Sequence, residues 1–340
     1  MKKNLFIGID FSKSKFDVTV LETIEQKNFA QETFENEEKG YKLFLKWLSK
    51  QSKVKREDWL FCGEYTGLYS RGLSEFLHKK KLFMWLENPL QIKSSWGIKR
   101  AKTDRIDSLE IAKYAIRFED KAKEYKPETK TIKALRILSG QRSRLLKCKV
   151  LLEVAAKEMR RVIKHDTSAR IAYNNSMQNI ERFKKQIASL EDKMHKIIME
   201  SEVKDNYLLV NSIKGVGMQT AIALIIHTNN FLDFEDARQL ACYCGCAPFE
   251  KTSGSSIRGG THVSCLANKD IKVLLTQCAM VAAQYNKKLS VYYDRKVAEG
   301  KAKMVVINNI RNKLIHIIFA VTKHKTLYDE NYLSSFLKYA

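Results

Sequence analysis

Four acidic residues, Asp10, Glu64, Asp104 and Asp107, are the strongest chemical signal in this sequence. Carboxylate oxygens are hard ligands that suit Mg²⁺ or Mn²⁺ better than softer metals. Paired ions in such a site activate an attacking oxygen and stabilise a leaving one during in-line displacement at phosphorus. Without cations, like charges this close repel. Asp104 and Asp107 open an expected helix in AKTDRIDSLEIAKY, where positions i and i+3 share a face. Acids at a helix start also read as a cap and a first-turn charge favoured by the dipole. What favours metal chemistry is that Asp10 and Glu64 each close an expected strand. Lys99, Arg100, Lys102 and Arg105, with Lys93 and Trp96, flank the acid pair and would hold substrate phosphates beside the metals.

A second candidate is Ser253, in the small-residue loop Thr252-Ser253-Gly254-Ser255-Ser256 with Arg258 close behind. A serine nucleophile needs exposure, flexibility and a positive charge to offset the phosphorane. The same composition describes an ordinary linker, and His262 is the only local base. Gly215 and Gly217, beside Lys214, either let backbone N–H groups approach a phosphate at a helix N-terminus or simply link two helices. Cys242, Cys244 and Cys246 lack the paired spacing of structural zinc sites. Seven cysteines in 340 residues fit reduced thiols in a cytoplasm better than a disulfide framework.

The acids need elements to position them. Residues 4–9 (NLFIGI) read as a buried strand ending at Asp10, and 15–21 (KFDVTVL) alternate like its hairpin partner. A third strand is expected near 28–34 and a helix over 37–51. A strand at 59–63 ends at Glu64, a helix begins near Gly67, and 81–86 form another strand. Three antiparallel strands followed by alternating helix and strand is the element order of a ribonuclease H-like sheet. From Thr131 the pattern changes. Leu138, Leu145, Leu152 and Met159 recur every seven residues, with Leu135, Ala156 and Ile163 on the alternate seam, which Arg142 and Lys149 interrupt. Tyr173, Ile180, Phe183, Ile187, Leu190, Met194 and Ile197 repeat the habit, so a coiled-coil hairpin is expected. The remainder reads as mainly helical, with a helix-hairpin-helix-like element around Gly215 to Gly217. The expected domains are 1–125, 126–204 and 205–340: an α/β metal-binding domain, a helical connector and a mainly α C-terminal domain.

Charge points to a polyanionic partner. Lys and Arg number 61 against 38 acids, a net charge of +23. Residues 130–164 carry eleven Lys or Arg and two Glu. Arg142, Arg144 and Lys147 on that stretch would follow a nucleic-acid backbone, against the plainer reading of a solvated face. No apolar run of 18 residues, secretory leader or lipidation motif is found, so a soluble intracellular chain is expected, with no membrane partner.

The ordered set of motifs resembles the insertion-sequence one-ten family of transposases, relatives of the Piv-type DNA invertases, over nearly the whole chain. GIDFSKSKFDV, EYTGLY and KTDRIDSLEIAKYA match its RuvC-like D-E-D-D domain. IKGVGMQTA, CGCAPFEKTSGSSIRGG, LANKDIKVLL and YYDRKVAEGKAK match its serine domain. The resemblance implies a recombinase that joins Ser253 to DNA through a phosphoserine link, with Ser255 and Ser256 as neighbouring candidates. It implies metal ions at the four acids, a homo-oligomer (dimer or tetramer) in which acids and serine meet across subunits, and double-stranded donor and target DNA. It further implies a structured guide RNA and a place at the bacterial nucleoid. Two other readings remain open from the residues: a Mg²⁺-dependent junction-resolving nuclease with no covalent intermediate, and a non-enzymatic nucleic-acid-binding protein.

Overall fold

Asp10 and Glu64 owe their position to a five-stranded sheet. A computed structural model of the chain describes residues 3–95, 104–161, 163–164, 166–253, 257–263 and 266–330, with the backbone alone over 251–253 and 257–262. The described chain divides into two compact units, Met1–Pro127 and Glu128–Ala340.

In the first unit β1 (Leu5–Phe11), β2 (Lys15–Leu21) and β3 (Ala30–Glu35) form an antiparallel meander. Helix α1 (Glu38–Gln51) leads to β4 (Trp59–Glu64), which pairs parallel to β1. Helix α2 (Leu68–Lys79) leads to β5 (Phe83–Glu87), parallel to β4, and the strand order is β3-β2-β1-β4-β5. Parallel neighbours need a crossover connection, which α1 and α2 supply. The short α3 (Pro89–Ser94) starts on Pro89 with Asn88 as its cap, and α4 (Asp104–Arg117) follows. Period-two alternation sorts the side chains to two faces. Ile7, Ile9, Phe16, Val18, Phe61 and Met84 form one core with Phe44 and Leu48 of α1 and Leu73 and Leu77 of α2. Phe6, Leu60, Cys62 and Trp85 face the other way and pack on Ile111, Tyr114 and Ala115 of α4. The expected strands lie within a few residues of these, and β1 runs on through Asp10 to Phe11.

The second unit begins with α5 (Lys130–Met159) and α6 (Thr167–Met199), capped by Thr129 and Asp166 and packed as a long hairpin. The two polar interruptions of the α5 seam are neutralised locally. Arg142 Nε donates to Glu191 Oε1 of α6 at 2.6 Å, and Lys149 Nζ lies 3.4 Å from Glu153 Oε1. Ile132, Leu135, Met194 and Ile198, at the hairpin's open end, join the core of the helical unit. That core gathers α7 (Lys204–Asn211), α8 (Met218–His227), α9 (Ala237–Tyr243), α10 (Lys269–Tyr285), α11 (Lys287–Ala298) and α12 (Lys303–His324). Helix α12 has the length and apolarity to cross a membrane, but Val306, Ile310, Leu314, Ile318 and Val321 are core residues here.

Between α9 and α10 the small-residue composition around Ser253 predicts a loop. The chain instead forms an antiparallel pair, β6 (Pro248–Ser253) and β7 (Ile257–Val263), with a register shift between Phe249 and Lys251. Short strands rich in Gly, Ser and Lys carry little hydrophobic alternation, so pairing overrides local composition.

Candidate active site

The acids of the first unit come together through strand register. Asp10 of β1 faces Asp17 of β2, and Ile9 pairs with Gly63, which sets Asp10 beside Glu64 one step further along the parallel strands. Glu64 in turn pairs with Glu87 on β5. A row of carboxylates thus crosses the sheet on the face covered by α4. Gly8 decides how close that cover comes. A Cβ there would lie 2.2 Å from the Ser108 carbonyl oxygen and 2.3 Å from the Ala112 amide nitrogen, so α4 rests directly on the β1 backbone. Thr19, across from Gly8, lies 2.8 Å from the Ser108 hydroxyl, and Gln31 donates to Thr19 Oγ1 and to the Arg105 carbonyl. These contacts fix the N-terminal end of α4, where Asp104 and Asp107 both lie in the first turn.

The proximity has electrostatic consequences. Burial, then the charges of Asp107, Glu64, Asp104 and Asp17, push the Asp10 carboxyl up to about 7. The Cys62 thiol beneath is pushed well up by burial first and then by Glu87 and Glu64. Lys15 Nζ is a cation in contact with the acids, 3.0 Å from Asp104 Oδ2 and 3.4 Å from Asp17 Oδ2, and these partners raise its pKa. Among the described residues, no three His, Cys, Asp or Glu side chains are gathered tightly enough to hold a metal ion as they stand. The donor set nonetheless fits one: its oxygens are hard, and the burial and neighbouring charges that hold a proton on Asp10 are what a bound cation would offset. Asp17 and Glu87 escaped the sequence reading. Asp17 becomes visible once the β1–β2 hairpin is given a register, and Glu87 is one more strand-end acid.

In the second unit Ser253 ends β6 and its backbone pairs with Ile257, while Thr252 pairs with Arg258. Gly254, Ser255, Ser256, Trp96, Lys99, Arg100 and Lys102 lie outside the described residues. The hairpin is clasped where it leaves and rejoins the helices. Asn268 N donates to the Tyr243 carbonyl at 2.9 Å, and Asn268 Nδ2 lies 3.0 Å from Tyr243 Oη and 3.2 Å from His227 Nδ1. Burial, then Arg136, holds His227 below the usual histidine value, as a neutral acceptor requires. Asn268 Oδ1 also caps α10 through the Ile271 amide. Asn268→Ala is expected to destabilise the helical unit by about 1–3 kcal/mol, for a lost cap and buried polar groups left unpaired. Asn268→Asp keeps the cap and presents an acceptor to His227; NMR titration should then show the His227 pKa moving up.

Other candidate contacts fall in varied settings. Arg144 donates to Gln141 Oε1 on an exposed face, Lys147 is exposed, and Arg142 is engaged with Glu191. Lys214 meets Glu330 Oε2 at 2.9 Å. Gly215 has a positive φ of 96°, and a Cβ there would come within 3.0 Å of the Cys278 carbonyl and Ala282, so α10 closes that side. Gly217 is open on its Cβ side and precedes α8. Cys244 and Cys246 are core residues with thiols pushed up by burial.

A transposase family model of the DEDD type for IS110 elements matches residues 7–159, and that of the IS116/IS110/IS902 transposase family matches 207–294. The chain belongs to the IS110 family of transposases. Among relatives of this IS110 transposase, the pilin gene-inverting proteins of Moraxella bovis and Moraxella lacunata are each 26% identical over 335 residues. Those matches span 96% of this chain and 98% of each relative. An uncharacterized 43.6 kDa insertion element IS110 protein of Streptomyces coelicolor is 31% identical over 121 residues, 36% of this chain and 30% of that protein. The first family match contains all four candidate acids, and the second contains Ser253.

Proposed function

We propose that this transposase cuts and rejoins double-stranded donor and target DNA with Ser253 as nucleophile, assisted by Mg²⁺ or Mn²⁺ at Asp10, Glu64, Asp104 and Asp107. The observation that carries the metal reading is the register that lines Asp10 up with Glu64 beneath the start of α4. The strand order, with its antiparallel meander and two parallel additions, supports a ribonuclease H-like, RuvC-like domain over 1–125. The hairpin of 126–204 and the serine domain of 205–340 complete the proposed division. When bound, the metal ions would lower the cost of charge on the attacking and leaving oxygens. The protein's part is to hold the four carboxylates on rigid elements and to exclude competing water from a covalent step. Ser253 Oγ bonds to phosphorus as the DNA oxygen leaves, and the phosphoserine link conserves the bond energy for rejoining.

Arg105, Arg144, Lys147, Arg258 and the stretch Lys99, Arg100 and Lys102 are the proposed phosphate contacts, with Arg142, Lys214, Gly215 and Gly217 as further members. The basic face of α5 suits a structured guide RNA, since folded RNA is gripped by shape and phosphate contacts. Exposed Ile137, Val150, Leu151 and Val154 on α5 support a homo-oligomer. The enzyme would work in the cytoplasm, at the nucleoid. The Moraxella relatives, being pilin gene-inverting proteins, favour recombination over simple hydrolysis.

The test is to incubate the full chain with Mg²⁺, labelled DNA carrying the element's ends, and RNA transcribed from the flanking segment, then resolve the products under denaturing conditions. A covalent protein–DNA adduct is expected, absent in Ser253→Ala and retained in Ser255→Ala and Ser256→Ala. Nicked DNA with no adduct in the unaltered protein would instead establish the junction-resolving nuclease reading.

A further inference from the structure

Lys15 lies within the GIDFSKSKFDV motif, and the mechanism gives it no role. It opens β2, and its ammonium spans two elements, 3.4 Å from Asp17 Oδ2 on its own strand and 3.0 Å from Asp104 Oδ2 on α4. The two carboxylates differ in exposure. Asp17 is 5% exposed and its Oδ1 accepts the Thr33 hydroxyl at 2.5 Å from the facing position of β3, so the sheet fixes it. The Asp104 side chain is 58% exposed in the first turn of α4. Lys15 is therefore anchored on one side by a buried acid and reaches an exposed one on the other.

We propose that Lys15 is a positioning residue that competes with the divalent metal for Asp104: it occupies that carboxylate in the metal-free chain and yields it when the metal binds. The inference rests on the metal reading of the four acids given above. Its sign follows from charge. Removing the ammonium frees Asp104 and also removes a cation that repels the incoming ion, so both effects tighten binding. If Lys15 instead served to preorganise the acids, its removal would weaken binding. The pair is exposed and partly screened, which keeps the effect modest.

The experiment is titration of the full chain with Mn²⁺ in the absence of DNA, reading free Mn²⁺ by electron paramagnetic resonance, together with thermal melting in chelator. Lys15→Met is expected to bind Mn²⁺ about tenfold more tightly, with a melting temperature close to that of the unaltered chain. Lys15→Arg, which keeps the charge, is expected to match the unaltered chain. Unchanged or weaker binding in Lys15→Met, with Asp10→Asn still abolishing binding, would overturn the competitor role and leave the metal reading standing. Binding that Asp10→Asn leaves untouched would overturn both.

Discussion

Asp10→Asn is expected to reduce strand cleavage by about a thousandfold or more and, in chelator above neutral pH, to make the chain more stable. The two effects share one cause. Asp10 sits in a row of acids and its carboxyl is raised to about 7 by burial and by Asp107, Glu64, Asp104 and Asp17. In the unfolded chain the same group ionises near 3.8. Between those values the folded form holds a proton that the unfolded form has released, so stability falls as pH rises through this window. Above it the deficit is complete. A shift of about three pKa units corresponds to about 4 kcal/mol, and partial exposure reduces this to about 1–3 kcal/mol. Asparagine carries no charge at any of these pH values, so the variant and the unaltered chain should melt alike near pH 4 and diverge toward pH 8. Saturating Mg²⁺ should close the gap from the other side, by stabilising only the chain that keeps the carboxylate. Equal melting temperatures in chelator at pH 8 would show that the acids do not repel as argued. Cleavage by the variant at the normal rate would remove Asp10 from the reaction.

Gly8→Val should be more damaging than substitution at any exposed residue of the first unit. The glycine does not serve a turn here; its missing side chain is the space in which α4 lies. With backbone atoms of Ser108 and Ala112 at 2.2 and 2.3 Å from the position of a Cβ, no rotamer change relieves the clash. The helix must lift, and about 3 kcal/mol or more of stability goes with it. Lifting also carries Asp104 and Asp107 away from Asp10, so Gly8→Ala, the milder change, should already abolish Mn²⁺ binding in chains that still fold. Gly140→Ala is the control. That glycine lies within α5 with the nearest atom 3.7 Å from its would-be Cβ, and alanine there should stabilise by about 0.5–1 kcal/mol. A Gly8→Ala chain that melts normally and binds Mn²⁺ normally would show that α4 tolerates displacement.

The sheet was legible because its strands declare themselves. NLFIGI is apolar throughout and KFDVTVL alternates, and the observed β1 and β2 follow those patterns closely. The four acids stand out as candidates because each lies at or near the end of a strand or the start of a helix. Asp17 does not, since in an alternating strand it reads as one more solvent-side polar residue. Only the pairing of Asp10 with Asp17 reveals that this side lies under α4. Lys15 escaped for a similar reason: its partner Asp104 is 89 positions distant and reached only through tertiary packing. The β6–β7 pair was hidden differently, because Lys, Gly, Ser and Thr specify a strand weakly unless another strand is beside them. Heptad spacing located α5 and α6, but it did not disclose that Glu191 answers the arginine in the seam.

The clasp of Tyr243, Asn268 and His227 bears on how such an enzyme changes over generations. It brings the two ends of the serine-bearing hairpin together at their base and completes the junction with hydrogen bonds that do not involve the hairpin's own side chains. Cys244, Cys246 and Ala247 still belong to the bundle's core, but residues of the hairpin beyond them are relieved of the duty of joining α9 to α10. Selection can lengthen, shorten or rewrite that excursion to suit a new DNA partner while the helical bundle inherits its packing unaltered, and the same junction offers an engineer a place to exchange one hairpin for another.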